Sequence, residues 1–303
     1  MIRRALHITT AVIFVLVVLA GSVSDSLSAM SWPSEDAFLV RNFGANDRGR
    51  PVLGMVFNGG TEVFAAESGE VIFYCGKNDT ASRLPSPFGA WTAVDHEDGL
   101  ISIYSRYADG APFARTHVEK LQQIAASGAS GWSAQDGFYF IIFDRRERRW
   151  INPAMIITPV RDTRPPQILS VDLRNAQGLT AQSRNLSQGR YTVLVNTSGG
   201  IPAASPQGIP AAQQRNQRYA PQRIVCLVNG AEVGSVNFEA VSARDGVLMV
   251  YRNGLVPAGQ IYSAFPAYET ADIFLTRGQA NLEIIVQDIS GNSRSVVNRL
   301  LVN

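Results

Sequence analysis

The chain is 303 residues long, with 27 Lys and Arg against 25 Asp and Glu, for a formal charge of +2. That length suffices for two ordinary domains with their own cores, and the near balance of charge excludes the strong positive field of a nucleic-acid binder. Two cysteines exclude a disulfide-stapled mini-protein, and three histidines restrict metal and acid–base chemistry.

Residues 1–29 have the layout of a secretory signal. Arg3 and Arg4 precede an apolar run from Ala11 to Gly21, and a small polar segment ends at Ala29. The run is shorter than the roughly 20 residues of a spanning helix, so cleavage near Ala29 is expected, with a retained anchor as the alternative if Ile8 to Thr10 are recruited. Ser22 stands where a lipid-bearing cysteine would be needed, so no lipid anchor is expected.

From Phe38 onward, short apolar or alternating runs are punctuated by Gly, Asn and Asp, the pattern of strands joined by turns. Strands are predicted at Val63 to Ala66, Val71 to Cys75, Trp91 to Asp95, Leu100 to Tyr104 and Phe138 to Phe143. Asp98-Gly99 signals a hairpin, because both residues tolerate positive φ. Val118 to Ile124 reads as either a helical turn or an irregular strand, and the charged run Asp144 to Arg149 as a solvated turn. A boundary is expected after Pro159, where Asp162-Thr163-Arg164-Pro165-Pro166 stiffens the backbone and removes sheet donors. Beyond it, strands are predicted at Gln167 to Leu173, Tyr191 to Asn196, Arg223 to Val228, Val247 to Tyr251, Asp272 to Leu275, Leu282 to Gln287 and Ser295 to Val302. This spacing fits an immunoglobulin-like β-sandwich. The segment 197–222, rich in Gly, Pro, Ala and Gln, reads as a long mobile loop. The expected organisation is all-β: a signal at 1–29, a first domain at 30–159 and the sandwich at 160–303.

Little local chemistry is on offer. His96 and His117 lie far apart, and a catalytic zinc site takes three protein ligands. No Gly-x-Ser-x-Gly elbow or phosphate loop is present. Cys75 with His96 would make a thiol nucleophile and base, but Cys75 lies in an apolar run that points into a core. The two cysteines read as buried thiols, with an interdomain bridge between Cys75 and Cys226 as the alternative.

Several segments in order carry a resemblance. Arg48-Gly49-Arg50-Pro51 precedes Val52-Leu53-Gly54-Met55-Val56-Phe57, and Gly60-Thr61-Glu62-Val63-Phe64-Ala65-Ala66-Glu67-Ser68-Gly69-Glu70-Val71 follows. His96 to Gly99 leads into Tyr104-Ser105-Arg106-Tyr107. Gly128-Ala129-Ser130-Gly131 and Asn152-Pro153 close the series. This resembles the lysostaphin-like, LytM-type zinc endopeptidases of peptidoglycan, built on the duplicated hybrid motif fold. The resemblance implies that the family's first zinc-binding His corresponds to Val52, its Asp ligand to Val56, a catalytic His to Arg106, and its final His-x-His pair to Phe138 and Phe140, with a register shifted by one residue as the alternative for this last pair. Val and Phe offer no donor, and Arg repels a divalent cation, so neither zinc nor catalysis is expected.

The expectation is therefore a noncatalytic protein exported to the periplasm or cell envelope of a bacterium. Its groove, with Arg50, Tyr104, Arg106 and Tyr139 as contacts, would bind peptidoglycan or a cell-wall hydrolase. Inactive relatives in this family activate cell-wall amidases. Two alternatives stand beside it: an active zinc peptidase using His96, His117 and a carboxylate, and a structural component of a surface or secretion assembly.

Overall fold

A computed structural model describes residues 29–76, 86–108, 116–133, 135–159, 162–181, 185–198 and 219–303. Residues 1–28 of the expected signal and most of the expected 197–222 loop lie outside the described residues.

The first half contains β1 (Phe38–Arg41), β2 (Asn46–Asp47), β3 (Arg50–Pro51), β4 (Met55–Asn58), β5 (Glu62–Phe64), β6 (Gly69–Cys75), β7 (Ala90–Asp95) and β8 (Leu100–Tyr107). It continues through β9 (His117–Val118), β10 (Gln123–Ala126), β11 (Gly137–Asp144) and β12 (Arg149–Ile151), followed by a 3-10 turn at Pro153–Met155. The apolar run of β11 is buried on both faces except at Phe143, because the strand is central. It pairs with β8 on one side and with β4 and then β12 on the other. β7 and β6 extend the sheet beyond β8.

The predicted hairpin is present, but only Gly99 has a positive φ, at 82°. Asp98 contributes instead through its side chain, which accepts from Leu100 N at 3.0 Å. Val118 to Ile124 resolves into the end of β9, a turn in which Gln122 N donates to Glu119 O, and the start of β10.

The second half contains β13 (Gln167–Asn175), β14 (Asn185–Leu186), β15 (Gly189–Ser198), β16 (Arg223–Val228), β17 (Ala231–Arg244), β18 (Val247–Arg252) and β19 (Leu255–Pro257). A helical turn, α1 (Gly259–Tyr262), precedes β20 (Tyr268–Leu275), β21 (Gly278–Gln287) and β22 (Ser293–Val302). The sheet β13-β15-β20 faces the sheet that includes β16, β17, β21 and β22. The core between them contains Val193, Val195, Ile224, Cys226, Val236 and Ile284.

The two halves share one sheet. β12 pairs with β17 through Arg149↔Ser242, Trp150↔Val241 and Ile151↔Ala240. Side chains also cross over: Phe43 belongs to the second core, and Tyr219 packs into the first, where its hydroxyl donates to Leu39 O at 2.7 Å. No disulfide joins Cys75 to Cys226. Cys226 is fully buried, which pushes its thiol up to about 12. Cys75 departs from the expectation of a buried thiol: it ends β6 near the sheet edge and is half-buried.

Candidate functional site

Strand register decides which side chains share the face marked by Val52 and Val56. Val56 on β4 opposes Tyr139 on β11, and Tyr139 opposes Ser105 on β8. Paired residues of antiparallel strands point to the same side, and successive residues alternate. Tyr139 and Ile141 therefore join Val52 and Val56, with Ile103 beside them, in a small apolar cluster separate from the main core. Gly54 allows this approach: a Cβ there would lie 2.2 Å from Phe140 O.

The same logic corrects the sequence alignment at β11. Phe138 and Phe140 point to the opposite face, where both are buried in the first core; Phe138 stacks on Phe57 at 4.7 Å. The pair spaced as His-x-His on the site face is Tyr139 and Ile141, one residue further on. Tyr104 also departs from its predicted role as a groove contact. It is fully buried against Phe140, and its hydroxyl accepts from Ala66 N at 2.7 Å.

Arg106 does reach the face. A bulge between β7 and β8 places it at φ 65°, and its guanidinium carbon lies 4.9 Å above the Tyr139 ring. Desolvation lowers its pKa, with the Tyr139 and Asp47 sides opposing that shift and Arg41 adding to it. Arg41 is itself engaged with Asp47 at 2.9 Å. Tyr139 is nearly buried, which pushes its phenol up to about 12, and its hydroxyl accepts from Leu53 N at 2.9 Å. Arg50 is exposed on β3.

These residues do not suit a zinc ion, which takes His, Cys or carboxylate donors. Val52, Val56 and Ile141 have no donor, the Tyr139 oxygen is occupied, and Arg106 places a cation over the face. His96 and His117 do not converge on it. His96 lies at the opposite end of β7, where Nδ1 donates to Ser68 O at 2.8 Å and Nε2 is hydrogen-bonded to Ser102 Oγ at 2.9 Å. His117 is exposed on β9 beside Glu119, at 3.4 Å. Cys75 pairs in register with Trp91, at the far end of β7 from His96, so these two do not meet.

Sequence reasoning missed the aromatic side of the face. Trp91 lies opposite Ser105 and Phe73 opposite Ala93, so both extend the surface toward the β6 edge. Their rings stack at 4.2 Å, and Phe88 lies 6.0 Å from Trp91. The available signal was alternation along β7, which places Trp91, Ala93 and Asp95 on one side.

The model of peptidase family M23 matches residues 53–153. This segment is a peptidase family M23 domain. A second family model, without a functional description, matches residues 165–303. The M23 domain is similar to the protein named murein hydrolase activator NlpD of Salmonella dublin and of Salmonella typhimurium, with 26% identity over 113 residues in each case. The match covers 37% of this chain and 28% of the relative, so the chain spans about a quarter of the length of these relatives. Among solved structures, the catalytic domain of the M23 protein EnpA from Enterococcus faecalis has 15% identity and a TM-score of 0.35, covering 42% of this chain and 95% of that one. Lysostaphin, solved by NMR, has 15% identity and a TM-score of 0.35, with coverage of 82% and 99%. Among the described residues, no helix is long and apolar enough to cross a membrane.

Proposed function

We propose that this protein is an exported, noncatalytic factor of the bacterial cell envelope that uses the M23 frame to bind and regulate, without zinc. Its M23 face engages peptidoglycan or a cell-wall hydrolase, and the second half positions that face. The observation that carries this reading is the composition of the face: Val52, Val56, Tyr139 and Ile141 converge where a hydrolase of this frame would need metal donors, with Arg106 above them. Without a metal, this frame supplies neither the polarised carbonyl nor the activated water on which its hydrolysis depends. The similarity of the M23 domain to a murein hydrolase activator supports a regulatory role.

The test uses purified full-length protein dialysed against zinc. Metal analysis is expected to find zinc well below one equivalent, and the protein is expected to leave muropeptides intact while increasing sacculus digestion by an added murein hydrolase of the same cell. Stoichiometric zinc with chelator-sensitive muropeptide cleavage would overturn the noncatalytic reading in favour of a peptidase with unconventional ligands. A stable protein complex without sacculus binding or hydrolase stimulation would favour a structural component of an envelope assembly.

A further inference from the structure

Arg106 carries chemistry that the fold does not use. Its Nε is sealed from solvent without a hydrogen-bond partner, and among the described residues no carboxylate pairs with its guanidinium. Asp47, the acidic residue that acts on it, is held by Arg41. A buried donor without an acceptor is costly, and the planar fork of a guanidinium matches a carboxylate. The backbone strain points the same way. A bulky residue at positive φ persists where its surroundings hold it, and such residues cluster at binding sites.

The ground beside Arg106 is apolar. Val56 and Ile103 form a half-buried floor next to Tyr139. The stacked rings of Phe73 and Trp91, with Phe88, form a shelf in which Phe73 is 46% and Phe88 37% exposed. Arg106 N donates to Phe88 O at 2.8 Å, tying the shelf to the cation.

Resting on the reading that this face binds rather than cuts, we infer that it docks a segment of a partner protein, with an Asp or Glu side chain of that segment on Arg106 and its apolar neighbours on the Phe73–Trp91–Phe88 shelf. Arg, Trp and Tyr set in a water-excluding surround are the composition of a protein-binding hot spot. Glycan fits less well. Sugar hydroxyls laid on Val56, Ile103 and Trp91 would lose water without gaining partners, and the nearby Ser105 hydroxyl is buried and donates to Tyr139 O at 3.4 Å.

The test titrates isotope-labelled full chain with a synthetic peptide carrying one Glu between Leu and Trp residues, with the same peptide carrying Gln, and with muropeptides bearing free carboxylates. NMR reads the Arg106 Nε–H and Trp91 indole signals. The Glu peptide is expected to bind at least about tenfold more tightly than the Gln peptide and to move the Nε–H signal. Arg106→Gln should erase that preference and Arg106→Lys keep part of it, while Trp91→Ala should weaken both peptides. Should the Arg106 variants fail to fold, the wild-type Nε–H response to Glu against Gln decides alone. Equal binding of the two peptides, or tighter binding of muropeptides than of the Glu peptide, would overturn the inference. Loss of hydrolase stimulation with the Glu preference intact would count against the regulatory reading only. Stimulation with no Glu preference would count against this site only.

Discussion

Burial controls the chemistry of the tyrosines behind and within the M23 face. Tyr104 and Tyr139 are both pushed up to about 12 by burial, against roughly 10 for a solvated phenol. The folded state thus keeps protons that the unfolded chain releases. Their contribution to stability is fully present below about pH 10 and is lost as pH rises through about 12. Alkaline titration is expected to show these phenols ionising in step with loss of the far-ultraviolet dichroism of the sheet. Ionisation of every tyrosine near pH 10 with the sheet intact would contradict the burial account. The positions Val52, Val56 and Arg106 were legible in the sequence because short glycine-bearing motifs bracket them. Phe138 and Phe140 misled for a physical reason: in a strand buried on both faces, an unbroken apolar run carries no phase, and only pairing with β4 shows which alternate residues face the site. Tyr104 misled because its motif position says nothing of the hydrogen bond from Ala66 that holds it inward.

At the scale of elements, the tightest joint is made by the turn before β2. Gly44 has φ 77°, its carbonyl accepts from the Tyr262 hydroxyl at 2.9 Å, and a Cβ would meet Phe238 Cδ1 at 2.7 Å. Phe238 is locked edge-on between Tyr262 and Tyr268, so it cannot swing away cheaply. Gly44→Ala should therefore cost about 1–3 kcal/mol through combined overpacking and backbone strain, measured as a lower denaturant midpoint at unchanged slope. A stability within about 0.5 kcal/mol of wild type would show that the contact relaxes freely. Most strands were readable because they alternate between turn residues: Arg223–Val228 agrees with its predicted limits, the strand expected at Val63 to Ala66 starts one residue earlier and ends at Phe64, and the others extend by a few residues. β17 was not. Its 14 residues mix Gly, Ser and Glu with apolar positions, and its pairing with β18 shifts register between Asn237 and Ser242. A bulge breaks the period that sequence reading relies on, and a strand that serves two halves has no single face to mark.

That shared strand makes the whole molecule a continuous structure rather than two beads. The β12–β17 seam carries backbone hydrogen bonds, and Asn152 adds Nδ2 to Phe238 O at 3.1 Å. Asn42 closes the far side through a reciprocal pair with Ala220, 2.8 Å in each direction. Asn42 is buried, so its truncation strands a backbone N–H and a carbonyl without water to replace the amide. Because neither core can open without exposing residues lent to the other, calorimetry of the purified protein should show one transition, with calorimetric and van't Hoff enthalpies agreeing. Asn42→Ala should then lower that single midpoint by about 2–4 °C for each kcal/mol lost, without splitting it. Two resolved transitions in the wild type, or a shift of only one limb in the variant, would mean that the halves fold independently and that the seam orients the M23 face without stabilising it.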